Sequence, residues 1–449
     1  MRHPLDTLEI TFTRDTRTWL TSWLRTGLAR RAGHALLLLF LFLSIAAGIP
    51  AETWPEDERF ELGVRQITGP YEFNLWEWEV RGLTQKMAET FSSPARAIPP
   101  AQRPQLVREY VAAARRIGEL EHLVERTYAD PQVLDPDTMT AAWREEIVRL
   151  RQIQAERRPA AEAILQEQIA AILSEERITV LGAVWPPVKF AFSEPPYYLI
   201  VSPRARIMLR MGVYLRSDLP LDQQVELERQ VEALADVSAL VEGIGGFGAF
   251  PTMVIDRASL GWILSTIAHE WTHNYLAFRP LGWNYYANSD TVTLNETVAS
   301  IVGDEIGDKA LRRFYPDLVP PPAPPVSQQQ PIEPSAFDFG REMRATRIVV
   351  DRLLEKGYIH EAEAFMEARR RRFVAAGYSI RRLNQAYFAF HGSYATSPGA
   401  VDPIGPKLTR LREASPSLAE FLRVASRITS VEELDAALRA RGIDPEAIP

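Results

Sequence analysis

RASLGWILSTIAHEWTHNYLAF, residues 257–278, and TLNETVAS, residues 293–300, are the two stretches that decide how this chain is read. The first has apolar residues at three- and four-residue spacing and runs to Pro280 and Gly282, so it predicts one helix over 257–278. Inside it stands His269-Glu270-Trp271-Thr272-His273. Histidines at i and i+4 project from one helix face about one turn apart, which suits two imidazoles on one zinc ion. Glu270 stands one residue along, in reach of a water on that metal without being a ligand, and is the candidate general base.

The plain alternative is a pair of surface histidines. Against it, the chain has only 7 histidines, and Leu264, Ile267, Ala268 and Leu276 are apolar enough to bury the helix. A buried histidine pair without a partner is costly. With no cysteine in the chain, thiolate zinc sites, cysteine nucleophiles, iron–sulfur clusters and disulfides are excluded, and a metal must use His, carboxylate or water. A catalytic zinc usually takes three protein ligands. The second stretch offers Glu296, on a helix predicted to start near Thr293. Its bland reading is a capping box, Thr293 with Glu296, that merely opens that helix.

H-E-x-x-H followed some twenty residues later by N-E-x-x-A/S resembles the gluzincin metallopeptidases, the group of the thermolysins and zinc aminopeptidases. The resemblance implies that Glu296 completes the set with His269 and His273. The metzincin pattern is absent, because residue 279 is Arg. The chain is more particularly similar to predicted bacterial aminopeptidases, through LNETVASIVGDEIGDKAL and, loosely, Asn384-Gln385-Ala386 with Tyr394. These likenesses span about residues 180–430. Related enzymes take an oxyanion donor from the C-terminal helical region, so Tyr394, Tyr387 and His391 are the candidates, as a set. The acid that would orient a ligand histidine is Ser300 here, which leaves Asn295, Asp304 and Asp290 as candidate supports. Zinc so held would acidify a water and polarise a peptide carbonyl, with Glu270 moving the proton.

Ala249, Phe250, Thr252 and Met253 read as an edge strand able to align an extended peptide, since Pro251 could not donate within a central ladder. No acid lies in residues 247–255 to hold a free α-amine, Glu242 being the nearest upstream, so exopeptidase and endopeptidase action both stay open.

Around this centre the expected fold is α+β and predominantly α-helical: a zincin-like catalytic domain (178–315) with one small mixed sheet, flanked by helical regions 51–177 and 340–449. Strands are expected over 188–192, 197–201 and 206–215, and a helix over 221–240. Amphipathic helices are expected over 105–123 and 139–173, and in the C-terminal region over 339–356, 359–376 and 380–390. The Pro-rich residues 316–339 read as a linker. Residues 35–49 are uniformly apolar or small, with Arg30 and Arg31 before them and Glu52, Glu56, Asp57 and Glu58 after. That predicts a cytoplasmic tail (1–33), a single membrane anchor (34–50) and a catalytic part outside the cytoplasm, with a cleaved signal peptide as the rival.

At 46% hydrophobic and 24% charged residues the chain is globular, and its 449 residues suggest two or three folded units. A mild net charge of -7 without a basic stretch argues against a nucleic-acid partner. The expected partners are a peptide or unfolded-protein substrate and the membrane, with oligomeric state open. The rival from another class is a membrane-tethered interaction protein with a structural or vestigial zinc site. An intramembrane protease is disfavoured, because the polar metal helix lies far from the apolar span.

Overall fold

The computed structural model describes residues 56–92, 94–285, 287–319, 321, 337–392 and 403–448. The expected tail and anchor, Tyr394 and most of the Pro-rich linker lie outside the described residues. Among the described residues no helix is long and apolar enough to cross a membrane. The chain divides into two units after Gly63. Of the first, only the opening turns of α1 (Glu56–Thr68) are described. Everything below belongs to the second.

The amphipathic periodicity of the N-terminal region becomes α2 (Leu75–Ser92), α3 (Arg103–Ala129) and α4 (Pro136–Glu175). Pro136 opens α4 where its missing N–H costs nothing, and the Asp135 carboxylate accepts from Thr138 N at 3.0 Å. Ion pairs Arg103–Glu167, Arg157–Glu109 and Arg116–Glu146 run between α3 and α4 in antiparallel order, towards a cluster of Ile117, Leu120 and Ile147. Both helices extend several residues beyond the expected bounds.

The strands form two small sheets, where one was expected. β1 (Phe190–Phe192), β5 (Gly246–Phe247) and β6 (Thr252–Val254) make a mixed sheet in the order β1-β6-β5. β2 (Tyr197–Pro203), β3 (Met211–Leu215) and β4 (Val237–Gly243) make an antiparallel one in the order β3-β2-β4. Two expectations are corrected. The helix expected over 221–240 is α5 (Leu221–Glu232) followed by β4, which pairs with β2 over its full length from Tyr197↔Gly243 to Pro203↔Val237. An apolar run as short as Val237 to Val241 satisfies either period, and the pairing partner decides. The strand around Ala249–Met253 is not an edge: β6 is hydrogen-bonded to β1 on one side and β5 on the other, so β1 and β5 are the edges.

The two motif stretches form α6 (Leu260–Leu276) and α8 (Ser289–Phe314), with the single turn α7 (Pro280–Trp283) between them. α8 starts four residues before the expected position. Its cap is Asn288, whose side chain accepts from Thr291 N while Thr291 accepts from Asn288 N. Thr293 is therefore inside the helix, donating to Ser289 O at 3.0 Å, and the capping-box reading of Thr293 and Glu296 falls away.

The C-terminal region is helical as expected: α9 (Phe339–Glu355), α10 (Ile359–Ala375), α11 (Gln385–His391), α12 (Ile404–Glu413), α13 (Leu418–Ala425) and α14 (Val431–Arg439). α11 is shorter than expected because Arg381 and Arg382 are drawn out to Glu228, and the Asn384 side chain caps the helix at Tyr387 N. The main core runs through α3, α4, α6, α8 and α12–α14, joining Tyr110, Leu165, Trp271, Val298, Leu408 and Phe421. A second, around Met343, Phe373 and Phe388, belongs to α9–α11. The architecture is thus predominantly α-helical with small sheets.

Candidate metal centre and cleft

α6 and α8 lie backbone against backbone. A β-carbon added at Gly307 would be 2.6 Å from the Ser265 Cα, a separation only glycine permits. With Gly303 one turn earlier, this contact brings the HEWTH turn of α6 beside the NE turn of α8.

His269 Nε2 and His273 Nε2 are 3.1 Å apart, and Glu296 Oε2 lies 3.5 Å from the first and 3.6 Å from the second. Zinc bonds of roughly 2.0–2.1 Å in tetrahedral geometry separate their donor atoms by about 3.4 Å. One point therefore stands at zinc-bond length from all three. Two of the three are also aimed. The His273 Nδ1–H donates to Asn295 Oδ1 at 2.8 Å, so the Nε2 lone pair faces the centre. Glu296 Oε1 accepts from the Tyr285 hydroxyl at 2.5 Å, while Oε2 is buried with no hydrogen-bond partner among the described residues. A buried carboxylate oxygen left without a donor is expensive unless a cation occupies its lone pair. The residues fit a zinc ion, and among the described residues they are the only such group that could hold one.

Electrostatics follow from the enclosure. Burial alone would depress His273, but the Glu296 carboxylate outweighs it and the imidazole rises to about 9. Burial would raise Glu296, yet His273 and His269 hold it well below the usual carboxylate range. Glu270 goes the other way, raised by burial and only partly offset by the two histidines.

Glu270 and the three ligand residues line a cleft of about 310 Å³. Its opposite wall is aromatic and aliphatic: Tyr198, Leu209, Tyr214, Ile244, Phe247 and Phe390. Gly246 and Gly248 also line the cleft. β5 crosses so near the base that a β-carbon at Gly246 would lie 2.2 Å from Glu270 Oε1, and one at Gly248 would lie 3.2 Å from the His273 Cβ.

The other expected residues are distributed as follows. Asn295 supports a ligand. Asp304 is exposed but close enough to feel the His269 charge, while burial raises its carboxyl. Asp290 sits at the exposed start of α8, accepting from the Ser289 hydroxyl at 3.4 Å, and is not part of the group that could hold a metal. α11 turns Ala389 and Phe390 to the cleft, whereas Tyr387 and His391 are not among its lining. Those two rings contact each other at 4.2 Å; burial pushes Tyr387 up to about 12 and His391 down to about 4. Ala249, Thr252 and Met253 are buried and Phe250 half-buried, and their backbone is engaged: Ala249 O with Asn274, Pro251 O with Trp78, Thr252 N with Lys189 O. They have no main chain to offer a peptide as an edge would. Tyr285 escaped the sequence reading because it belongs to neither motif. Its only signal was being a tyrosine between the two motif helices.

Comparison with protein-family models, with curated proteins and with solved structures found no match to this chain.

Proposed function

We propose that this protein is a zinc-dependent peptidase of the gluzincin type with a zincin-like catalytic core, in which His269, His273 and Glu296 hold the metal and Glu270 is the general base. The observation that carries the reading is the convergence of three donor atoms on one point with an orphaned carboxylate oxygen, beside a fourth group, the buried Glu270 carboxylate, in the same cleft. A structural zinc site has no use for that fourth group.

Zinc at this point would supply Lewis acidity to an attacking water and to the scissile carbonyl. The remaining work belongs to the chain. Glu270 takes the proton of the attacking water and returns it to the leaving amine, and burial, by raising its affinity for the proton, suits it to both transfers. The apolar wall excludes bulk water, and β5 fixes the approach to the base. Among the lining residues, the acids are Glu270 and Glu296 alone, and no lysine or arginine is present. Nothing in the wall is suited to a free α-amine or α-carboxylate, which favours cleavage within a peptide over the aminopeptidase action of the resembling family. Anchorage through residues 34–50, with this domain outside the cytoplasm, belongs to the same proposal.

The test compares zinc content and hydrolysis of a mixed peptide library in the native protein, Glu296→Ala and Glu270→Gln. Near-stoichiometric zinc, lost in the first variant but kept without hydrolysis in the second, supports the reading. A native protein that takes up no zinc overturns it.

A further inference from the structure

We infer that Tyr285 is a positioning residue of the metal centre, holding Glu296 to a single-oxygen mode of ligation. This rests on the zinc reading above. Tyr285 stands in the link between α7 and α8, where its N–H donates to Gly282 O at 3.2 Å and its carbonyl accepts from the Thr291 hydroxyl at 3.3 Å. Thr291 is the residue that completes the N-terminal box of α8, so the same cap that starts the ligand helix fixes the backbone of Tyr285. From there the ring passes edge-on to His273, 6.3 Å between centroids at 83°, and its hydroxyl reaches Glu296 Oε1 at 2.5 Å.

A carboxylate can grip a metal with one oxygen or with both. Here the tyrosine hydroxyl occupies Oε1, while Oε2 lies 3.5 and 3.6 Å from the two histidine Nε2 atoms. The hydrogen bond therefore sets the carboxylate's rotation and keeps a coordination position open for other oxygen ligands. Glu296 is almost fully buried, so no water competes easily for Oε1 if the hydroxyl is removed, and the freed oxygen would turn toward the metal.

The experiment is Tyr285→Phe, which keeps the ring and deletes only the hydroxyl. Zinc affinity is measured by chelator competition, alone and in a Glu296→Asp background, whose shorter carboxylate keeps a ligand but draws it back from the Tyr285 hydroxyl, together with the visible absorption of the cobalt-substituted protein. A loss of about 10- to 100-fold, in the range found for outer partners of metal ligands, is expected for Tyr285→Phe alone. In the Glu296→Asp background the second change should have no further effect. The cobalt bands should weaken as a four-coordinate site gains a fifth bond. An unchanged affinity and spectrum, or an equal loss in both backgrounds, overturns the inference while leaving the zinc site standing. Failure of the native protein to bind zinc overturns the zinc reading itself.

Discussion

Gly303 of α8 lies directly against His269 of α6: a β-carbon there would stand 2.9 Å from the His269 Cβ and 2.9 Å from the Ser265 carbonyl oxygen. The obstacles are backbone and the root of a ligand side chain, neither of which can step aside. Gly303→Ala must therefore push the two helices apart by several tenths of an ångström. Ligand distances in a zinc site tolerate only about 0.2 Å. The expected outcome is a loss of zinc affinity of at least about 10-fold, read by chelator competition, with a lowered melting temperature. Wild-type affinity would mean that the helix spacing does not set the donor triangle.

Gly246 makes the corresponding claim for the base. A β-carbon there would collide with Glu270 Oε1 at 2.2 Å, and its three nearest neighbours are all atoms of the Glu270 side chain. Gly246→Ala is expected to displace the Glu270 carboxylate and leave zinc bound. Removing a well-placed general base costs on the order of 100-fold or more in rate. Hydrolysis should fall by about that factor at unchanged zinc stoichiometry, and loss of both together would place β5 in the metal site rather than over the base.

The His269–His273 pair was legible because it is local: two histidines one turn apart carry their geometry in their spacing, whereas Glu296, which the structure brings to the same cluster, was reached through the family resemblance. The helical periodicities of α3, α4, α9 and α10 were legible for the same reason. What failed was non-local. Val237 to Val241 is helix or strand according to whether β2 lies beside it. That β6 is internal depends on its pairing with β1, some sixty residues upstream. Tyr285 reaches Glu296 only because α7 and the Asn288 cap set the turn between them. The aromatic candidates Tyr387 and His391 were placed by resemblance, and the rotation of α11 gives the cleft their neighbours Ala389 and Phe390 instead.

Glu228 gives a prediction about stability. It is fully buried and accepts from Val241 N at 2.7 Å, Arg381 Nη1 at 2.8 Å and Arg382 Nη1 at 2.8 Å, tying α5 and β4 to the start of α11. Burial would raise its carboxyl, but Arg381, the Val241 N–H and Arg382 outweigh it, and the group is lowered. A carboxylate lowered on folding contributes stability above its unfolded pKa and loses it as pH falls through the folded value. Glu228→Gln should therefore cost roughly 3 kcal/mol at pH 7, the scale for breaking a buried ion pair. In denaturant titrations the gap from wild type should close as the pH is lowered below about 4. A gap independent of pH would assign the loss to packing rather than charge.

The cleft wall predicts what the site prefers, given the peptidase reading. Tyr198 stacks on Tyr214 at 4.7 Å, Tyr214 meets Phe247 at 4.6 Å, and Phe390 closes on Tyr198 at 5.9 Å. These rings enclose an apolar space opposite the donor atoms, with no fixed charge of their own. A substrate side chain entering it must leave water, which favours large apolar residues beside the cleaved bond and penalises charged ones. Burying a phenylalanine-sized side chain contributes about 2 kcal/mol, or about 30-fold in kcat/KM if realised in the transition state. Peptides with Phe or Leu next to the scissile bond should exceed matched Asp or Lys peptides by at least that factor. Tyr214→Ala should erase most of the difference while leaving zinc content unchanged. Equal cleavage of both classes by the native protein would mean that the aromatic wall packs the fold and does not read the substrate.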